Sequence, residues 1–369
     1  MAIISGGNGV RTQGTAKPII INGDCAVSQR TTSTTGVTST SWGAVDRIQL
    51  VNNTMGTYTV IQEALTSGAA YLAGFHNAWR IDCTTADSSP ASGDVLYPRY
   101  KIESQDLAPF RKGTSSAQKM TLAFWVKSNK TGNAQVNFYD IDNTRLCSGT
   151  YSISSADTWE HKIINIAADT TGAWADDNGE GLRIEWRLDS GSNSTSGATP
   201  TAWEAHNAAD RDVAGALQIA RNTANDWAMT GIQLEVGEFD STTLPPFQHE
   251  SYGDNLLRCQ RYLAMNGNNA PITGSCNGSA QFNSASLWVP VSMRSTPSVA
   301  NLSSIHCWFD DGTAFGDTSV SVANIKHIAD TNSVYFNIDS LSGMTDNKMA
   351  SGYIGTGSDS TKVQWDAEL

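Results

Sequence analysis

Charge is scarce in this chain of 369 residues. Asp, Glu, Lys and Arg make up 16% of it, against ~25% in an average globular domain. No run of about 18 apolar residues occurs, so no helix long and apolar enough to cross a membrane is expected. Met1 to Gly9 lack a basic start and a long apolar core, so no secretory leader is expected and the chain reads as made in a cytosol. The six cysteines, Cys25, Cys83, Cys147, Cys259, Cys276 and Cys307, contain no CxxC pair. That argues against a zinc ribbon and a dense disulfide framework, and leaves buried thiols as the expectation. None of the six histidines, His76, His161, His206, His249, His306 and His327, sits in HExxH, and no nucleophile elbow is present. All six read as structural. No internal repeat occurs, which argues against a solenoid or β-helix.

What fills the chain instead is Ser, Thr, Asn and Gly, residues that compete with the helical backbone and suit turns. The formal net charge is −12, which repels phosphate backbones and argues against nucleic-acid binding. Period-2 alternation recurs. Leu182, Ile184, Trp186 and Leu188 alternate with Arg183, Glu185, Arg187 and Asp189, which predicts one core-facing set and one set in water. Met120, Leu122, Phe124 and Val126 repeat the pattern, as do Ile232, Leu234 and Val236, then Val136 and Phe138, then Ile164 and Ile166. Turn-rich stretches at Asn129 to Gly132, Asp176 to Gly181 and Ser190 to Gly197 separate them. Many short antiparallel strands so punctuated predict a β-sandwich or barrel.

The organisation reads as four parts. Residues 1–22 form a glycine-rich arm in which Ile19 to Ile21 is a candidate first strand. Residues 23–250 form the large β domain. Residues 251–265 hold a short helix, capped by Asp254, with Leu256, Cys259 and Leu263 on one face. Residues 266–369 return to strands, with apolar faces at Leu287, Val289, Val291 and Met293, at Ile305, Cys307 and Phe309, and at Val334, Phe336 and Ile338.

The middle of the chain resembles a family of tail-fibre and appendage proteins of bacteriophages, especially marine ones. The residues that carry this are Tyr100 to Ala108 (YKIESQDLA), Thr121 to Ser128 (TLAFWVKS), Thr158-Trp-Glu160 and Ala168 to Gly172 (ADTTG). They continue with Thr230 to Gly237 (TGIQLEVG), Pro246 to His249, Ser251-Tyr-Gly253 and Cys259 to Tyr262. Asn22-Gly-Asp24 and Gln29-Arg30 resemble the family's domain start, and Met293 to Pro297 is similar to it in the C-terminal part. The match is specific from about 95 to 265. The resemblance implies that the large domain is a jelly-roll-like sandwich similar to carbohydrate-binding modules. It also implies a virion surface part, often trimeric, whose arm contacts other virion proteins. It carries over no catalytic residue, so a non-enzymatic tail fibre that attaches to a host-surface glycan is expected. A decoration protein without receptor and a glycan-cleaving spike are the alternatives.

Candidate site residues follow from context. Trp174 and Trp203 lie in polar, loop-like stretches, and Trp308 points away from the apolar side of its strand. An exposed ring stacks on a sugar face; the competing reading is a loop ring folded onto the sandwich or packed at a subunit interface. Asp176, Asp177 and Glu180 supply hard oxygens in one turn and are candidate ligands of a structural calcium, although their spacing is not that of an EF-hand. The same carboxylates as an acid/base pair are the weaker reading, because such turns favour Asp for backbone reasons. No other cofactor is expected.

Overall fold

A computed structural model describes residues 17–266, 270–277, 281–284, 287–300, 304–309, 318–321, 325–329, 331–338, 349–354 and 363–369. Twelve antiparallel strands form its largest sheet. They are β1 (Ser33–Ser41), β2 (Ile48–Ala64), β3 (Asn77–Thr85), β4 (Val95–Glu103), β5 (Met120–Lys127), β6 (Gly132–Asp140), β7 (Arg145–Ile153), β8 (Glu160–Ile166), β9 (Glu180–Trp186), β10 (Asp189–Ser190), β11 (Glu204–Ala205) and β12 (Asp226–Val236). The path runs β11-β7-β6-β9-β4-β2-β3-β12-β5-β8, with β1 beside β2 and β10 beside β4.

The sheet folds over on itself at β2. Its first half, Ile48 to Asn53, pairs with β4, and its second half, Thr57 to Ala64, pairs with β3. Between them Thr54 and Gly56 take positive φ, 57° and 77°, which bends the strand from one layer to the next, as strands that switch sheets do. A Cβ on Gly56 would sit 2.3 Å from the Thr85 carbonyl oxygen. The two layers close face to face on aromatic residues. Phe124 of β5 meets Tyr151 of β7 and Trp186 of β9 edge-on, with centroids 5.3 and 5.9 Å away, and within one layer Trp79 of β3 meets Trp227 of the neighbouring β12 at 6.1 Å. This is the all-β sandwich expected from the alternation, and it is jelly-roll-like as the resemblance implies.

The apolar halves of the predicted strands, Leu182 to Leu188 and Met120 to Val126 among them, are buried as expected. Four expectations change. Glu185, Arg187 and Asp189 are buried too, because a later stretch of chain covers them. Ile19 to Ile21 form a bend and turn, not a strand, and Ile20 and Ile21 pack inward; the rest of the expected arm, 1–16, lies outside the described residues. The helix spans Tyr252–Gln260 and is capped by Ser251, whose Oγ accepts from the Asp254 amide at 3.2 Å, while Leu263 has already entered the next strand. Only Leu287–Trp288 of the Leu287-to-Met293 stretch is strand.

After the helix, β13 (Leu263–Asn266), β23 (Val363–Asp366) and β17 (Ser298–Ala300) form a three-stranded sheet in the order β13-β23-β17. A further sheet is assembled from β14 (Ala270–Asn277), β15 (Gln281–Ser284), β16 (Leu287–Trp288), β18 (Ser304–Phe309), β19 (Thr318–Ser321), β20 (Ile325–Ala329), β21 (Ser333–Ile338) and β22 (Met349–Ile354). The side chains of Ile305, Cys307, Phe309, Val334, Phe336 and Ile338, assigned to faces above, lie outside the described ones.

Candidate functional site

Three strands of one layer, β4, β9 and β6, turn their apolar residues inward and so present every second residue on the opposite face. Cross-strand register lines these up in rows. Gln49, Arg99, Glu185, Asn137 and Ser148 form one, and Lys101, Arg183 and Tyr139 form the next. Beyond them lie Tyr97, Arg187 and Gln135. The segment from 192 to 217 crosses over part of this face and seals it.

The sealed part is a paired charge network. Arg211, from the crossing segment, donates to both carboxylate oxygens of Glu185 at 2.5 Å. Burial pushes the Glu185 carboxyl up, but Arg211 and Arg187 outweigh it and hold the group below the usual glutamate range. Arg187 is fully buried, with its guanidinium 4.1 Å from the Tyr97 ring centroid. Gln135 donates to Asn137, to Ser148 and to the Asp210 carbonyl oxygen, which ties the crossing segment down.

At the β10 end the network opens into a cavity of about 250 Å³. Asp189, Ser190, Asp212, Gln218 and Arg221 are among its walls. Ser190 Oγ accepts from Arg187 at 2.8 Å and donates to Asp212 at 2.7 Å, linking the cavity to the buried charges. Arg221 forks onto Asp189 at 2.9 and 3.0 Å. Burial pushes the Asp212 carboxyl up to about 6 and raises that of Asp189. Gln218 sits at a φ of 57°, backbone strain of the kind that gathers at functional positions. The cavity therefore offers acceptors, donors and a guanidinium, from β10 and from the loop segments that follow it, the groups that read hydroxyls.

The residues singled out from sequence lie elsewhere. Trp203 is buried, 8% exposed, and donates its indole N–H to the Ala167 carbonyl oxygen at 2.7 Å, so it is a loop ring folded onto the sandwich, the reading set against sugar stacking above. Trp174 is half-buried against Phe110 and lines a small cleft of about 100 Å³. Both indoles flank the Lys112 ammonium at 5.6 and 5.5 Å. That ammonium is buried and salt-bridged to Asp140 and Asp169, so the pair of rings encloses a structural cation. Trp308 lies in β18, but its side chain is outside the described ones. In the turn proposed for calcium, Asp176 and Asp177 are exposed, Asp177 accepts from the Gly179 amide, and Glu180 is held by Arg183 at 2.7 Å and Lys101 at 3.3 Å. Among the described residues no three His, Cys, Asp or Glu side chains gather as a metal site would require.

Sequence reasoning placed Glu185, Arg187 and Asp189 in water and so missed the network. The signal was present: charges of opposite sign alternate along one strand face, a set that can be buried as pairs, followed by a long polar segment carrying Arg211, Asp212 and Arg221.

No family model matches the chain, and no curated protein matches it. Among solved structures, it is similar to the enzymatically active domain of tailspike protein 4 of bacteriophage CBA120, at 12% identity and a TM-score of 0.28, covering 59% of this chain and 21% of that one. It thus spans about a fifth of that tailspike domain. It is also similar to a family 16 carbohydrate-binding module (11% identity, TM-score 0.24, covering 48% of this chain and 84% of that one). A third likeness is to a tandem of family 22 modules from Paenibacillus barcinonensis (8% identity, TM-score 0.26, covering 96% and 98%).

Proposed function

We propose that this chain is a non-enzymatic surface protein of a bacteriophage particle that holds a host-surface glycan on its sandwich domain. One observation carries the binding reading: the polar cavity walled by Asp189, Ser190, Asp212, Gln218 and Arg221, at the open end of a rigid, hydrogen-bonded sheet face. Its volume is below the roughly 300–1,000 Å³ of pockets that engulf drug-sized ligands, and suits the end of a sugar chain. The resemblance of residues 95 to 265 to phage appendage proteins supplies the setting. A trimer, with its arm on other virion proteins, fits that setting, because repeated weak sites raise the effective concentration of glycan.

A second reading has its own support. Two carboxylates in one cavity, one with its pKa raised to about 6, are what an acid/base pair for glycoside cleavage needs. Against it, Asp189 is locked by Arg221, and Asp212 by Ser190 and the Val213 amide. Binding to a panel of host-surface polysaccharides, with release of reducing ends followed in the same samples, separates the readings. Saturable binding without cleavage, lost in Gln218→Ala, is the expected result. Cleavage lost in D212N would replace binding with catalysis. A folded oligomer that binds nothing would leave a decoration protein.

A further inference from the structure

The half-open part of the same sheet face is positive, in a protein whose formal net charge is −12. Arg99, Lys101, Arg183, Arg187 and Arg211 lie on or over it, against the carboxylates of Glu180 and Glu185. Those carboxylates are already engaged. Arg211 forks Glu185, with Arg187 and Arg183 at 3.7 and 3.9 Å, while Arg183 and Lys101 hold Glu180. Lys101 also reaches the Leu369 backbone oxygen. Arg99 is different. Its Nε donates to Gln49 Oε1 at 2.6 Å, and among the described residues no carboxylate lies within ion-pair range of it.

Its surroundings disfavour its charge on balance. Burial pushes the Arg99 pKa down and the Arg183 charge adds to that, against the weaker pull of Glu180 and Glu185. Lys101 and Arg183 are direct cross-strand partners, a placement in which like charges destabilise a sheet. Among the described residues Arg99 is therefore the cation of these rows that no carboxylate pairs. Arg99 and Arg183 are half-buried at the edge of the part that the crossing segment covers, so a ligand approaching from solvent can reach both guanidiniums.

We infer that the ligand of this face is an acidic polysaccharide whose uronate carboxylate is forked by the free edge of the Arg99 guanidinium, beside Arg183. This rests on the reading of the chain as glycan-binding. A guanidinium matches a planar carboxylate bidentately, where an ammonium acts as a point charge.

The test uses the full chain and three probes: polygalacturonate, the same polymer as its methyl ester, and dextran sulfate. Expected is saturable binding to polygalacturonate that weakens at least about tenfold on esterification, and by about tenfold in both R99Q and R99K. K119Q, at an exposed salt bridge far from these rows, leaves it unchanged. Equal binding of the ester overturns the inference while leaving a glycan-binding protein, and so does preference for dextran sulfate. No binding to any polysaccharide, including the host panel, removes both. The charged-against-esterified comparison on the unaltered chain decides the matter even if R99Q folds poorly.

Discussion

Burial pushes the Asp212 carboxyl up to about 6 against the pull of Arg187 and Ser190, and Asp46, buried beside Gln29, reaches about 6 in the same way. Each binds its proton more tightly folded than unfolded, so from roughly pH 4 to 6 the folded chain carries more protons. The contribution of these two groups to stability then rises as pH falls from 7 toward 5. Glu185 and Glu103 act in the opposite sense. Burial raises each, but Arg211 and Arg187 on the first, and Arg261 on the second, hold them below the glutamate range. Their contribution is present above the ordinary value of about 4.3 and is lost as pH falls further. The melting temperature is expected to fall steeply below about pH 4, while between pH 7 and 5 the gain from Asp212 and Asp46 is set against the cost of charging His161 and His206, whose pKa burial lowers. From pH 7 to 5 the parent should gain melting temperature relative to D212N; a difference between the two proteins that stays constant over that range rejects the assignment. At this scale the sequence marks the apolar partners of these groups well. Leu182, Ile184, Trp186 and Leu188 are all buried as their spacing predicts. Glu185 was not legible, because its main partner Arg211 lies 26 residues away and no local period encodes that contact.

Among elements, the approach of β7 to β8 decides how tightly the sandwich closes. Gly149 of β7 has no room for a side chain: a Cβ there would lie 2.3 Å from Ile164 Cγ2, on a buried, branched residue that cannot swing aside. G149A is therefore expected to destabilise the fold by about 1–3 kcal/mol, as overpacked cores do. The paired variant G149A/I164V leaves that methyl in place, whereas G149A/I164A removes it and should recover part of the loss. Urea midpoints measure both; a G149A midpoint equal to that of the parent would mean the layers are not in contact there. The strands themselves were readable from alternation. The long β2 was not, since a strand that serves both layers shows no single alternation, and its bend rests on Thr54 and Gly56 rather than on a turn-rich stretch. The helix was readable, but its cap was misplaced by three residues, because Ser251 and Asp254 both suit that role and only the fold shows which one meets the amide.

Across the whole molecule, the last residues return to the sandwich and are held there by charge. Arg47 is buried, with its guanidinium 3.4 Å from the Tyr262 ring centroid, bonded to the Lys101 carbonyl oxygen and salt-bridged to Glu368 at 2.6 Å. Arg30 adds bridges to Asp366 and Glu368, and Arg294 donates to Ala367, Glu368 and Asn178. Because β23 precedes these residues and pairs with β13, the clamp also fixes the strand that follows the helix. Glu368→Gln leaves a buried guanidinium without its counter-charge, which costs about 3–5 kcal/mol, whereas replacing both partners by apolar residues of similar size is far milder. E368Q is thus expected to lower stability more than the double variant R47M/E368M, and to speed amide exchange in Val363–Asp366 and Leu263–Asn266 together. Exchange that accelerates in neither strand would mean the ion pair is incidental and that apolar packing of Tyr262 and Trp365 alone joins the chain end to the sandwich.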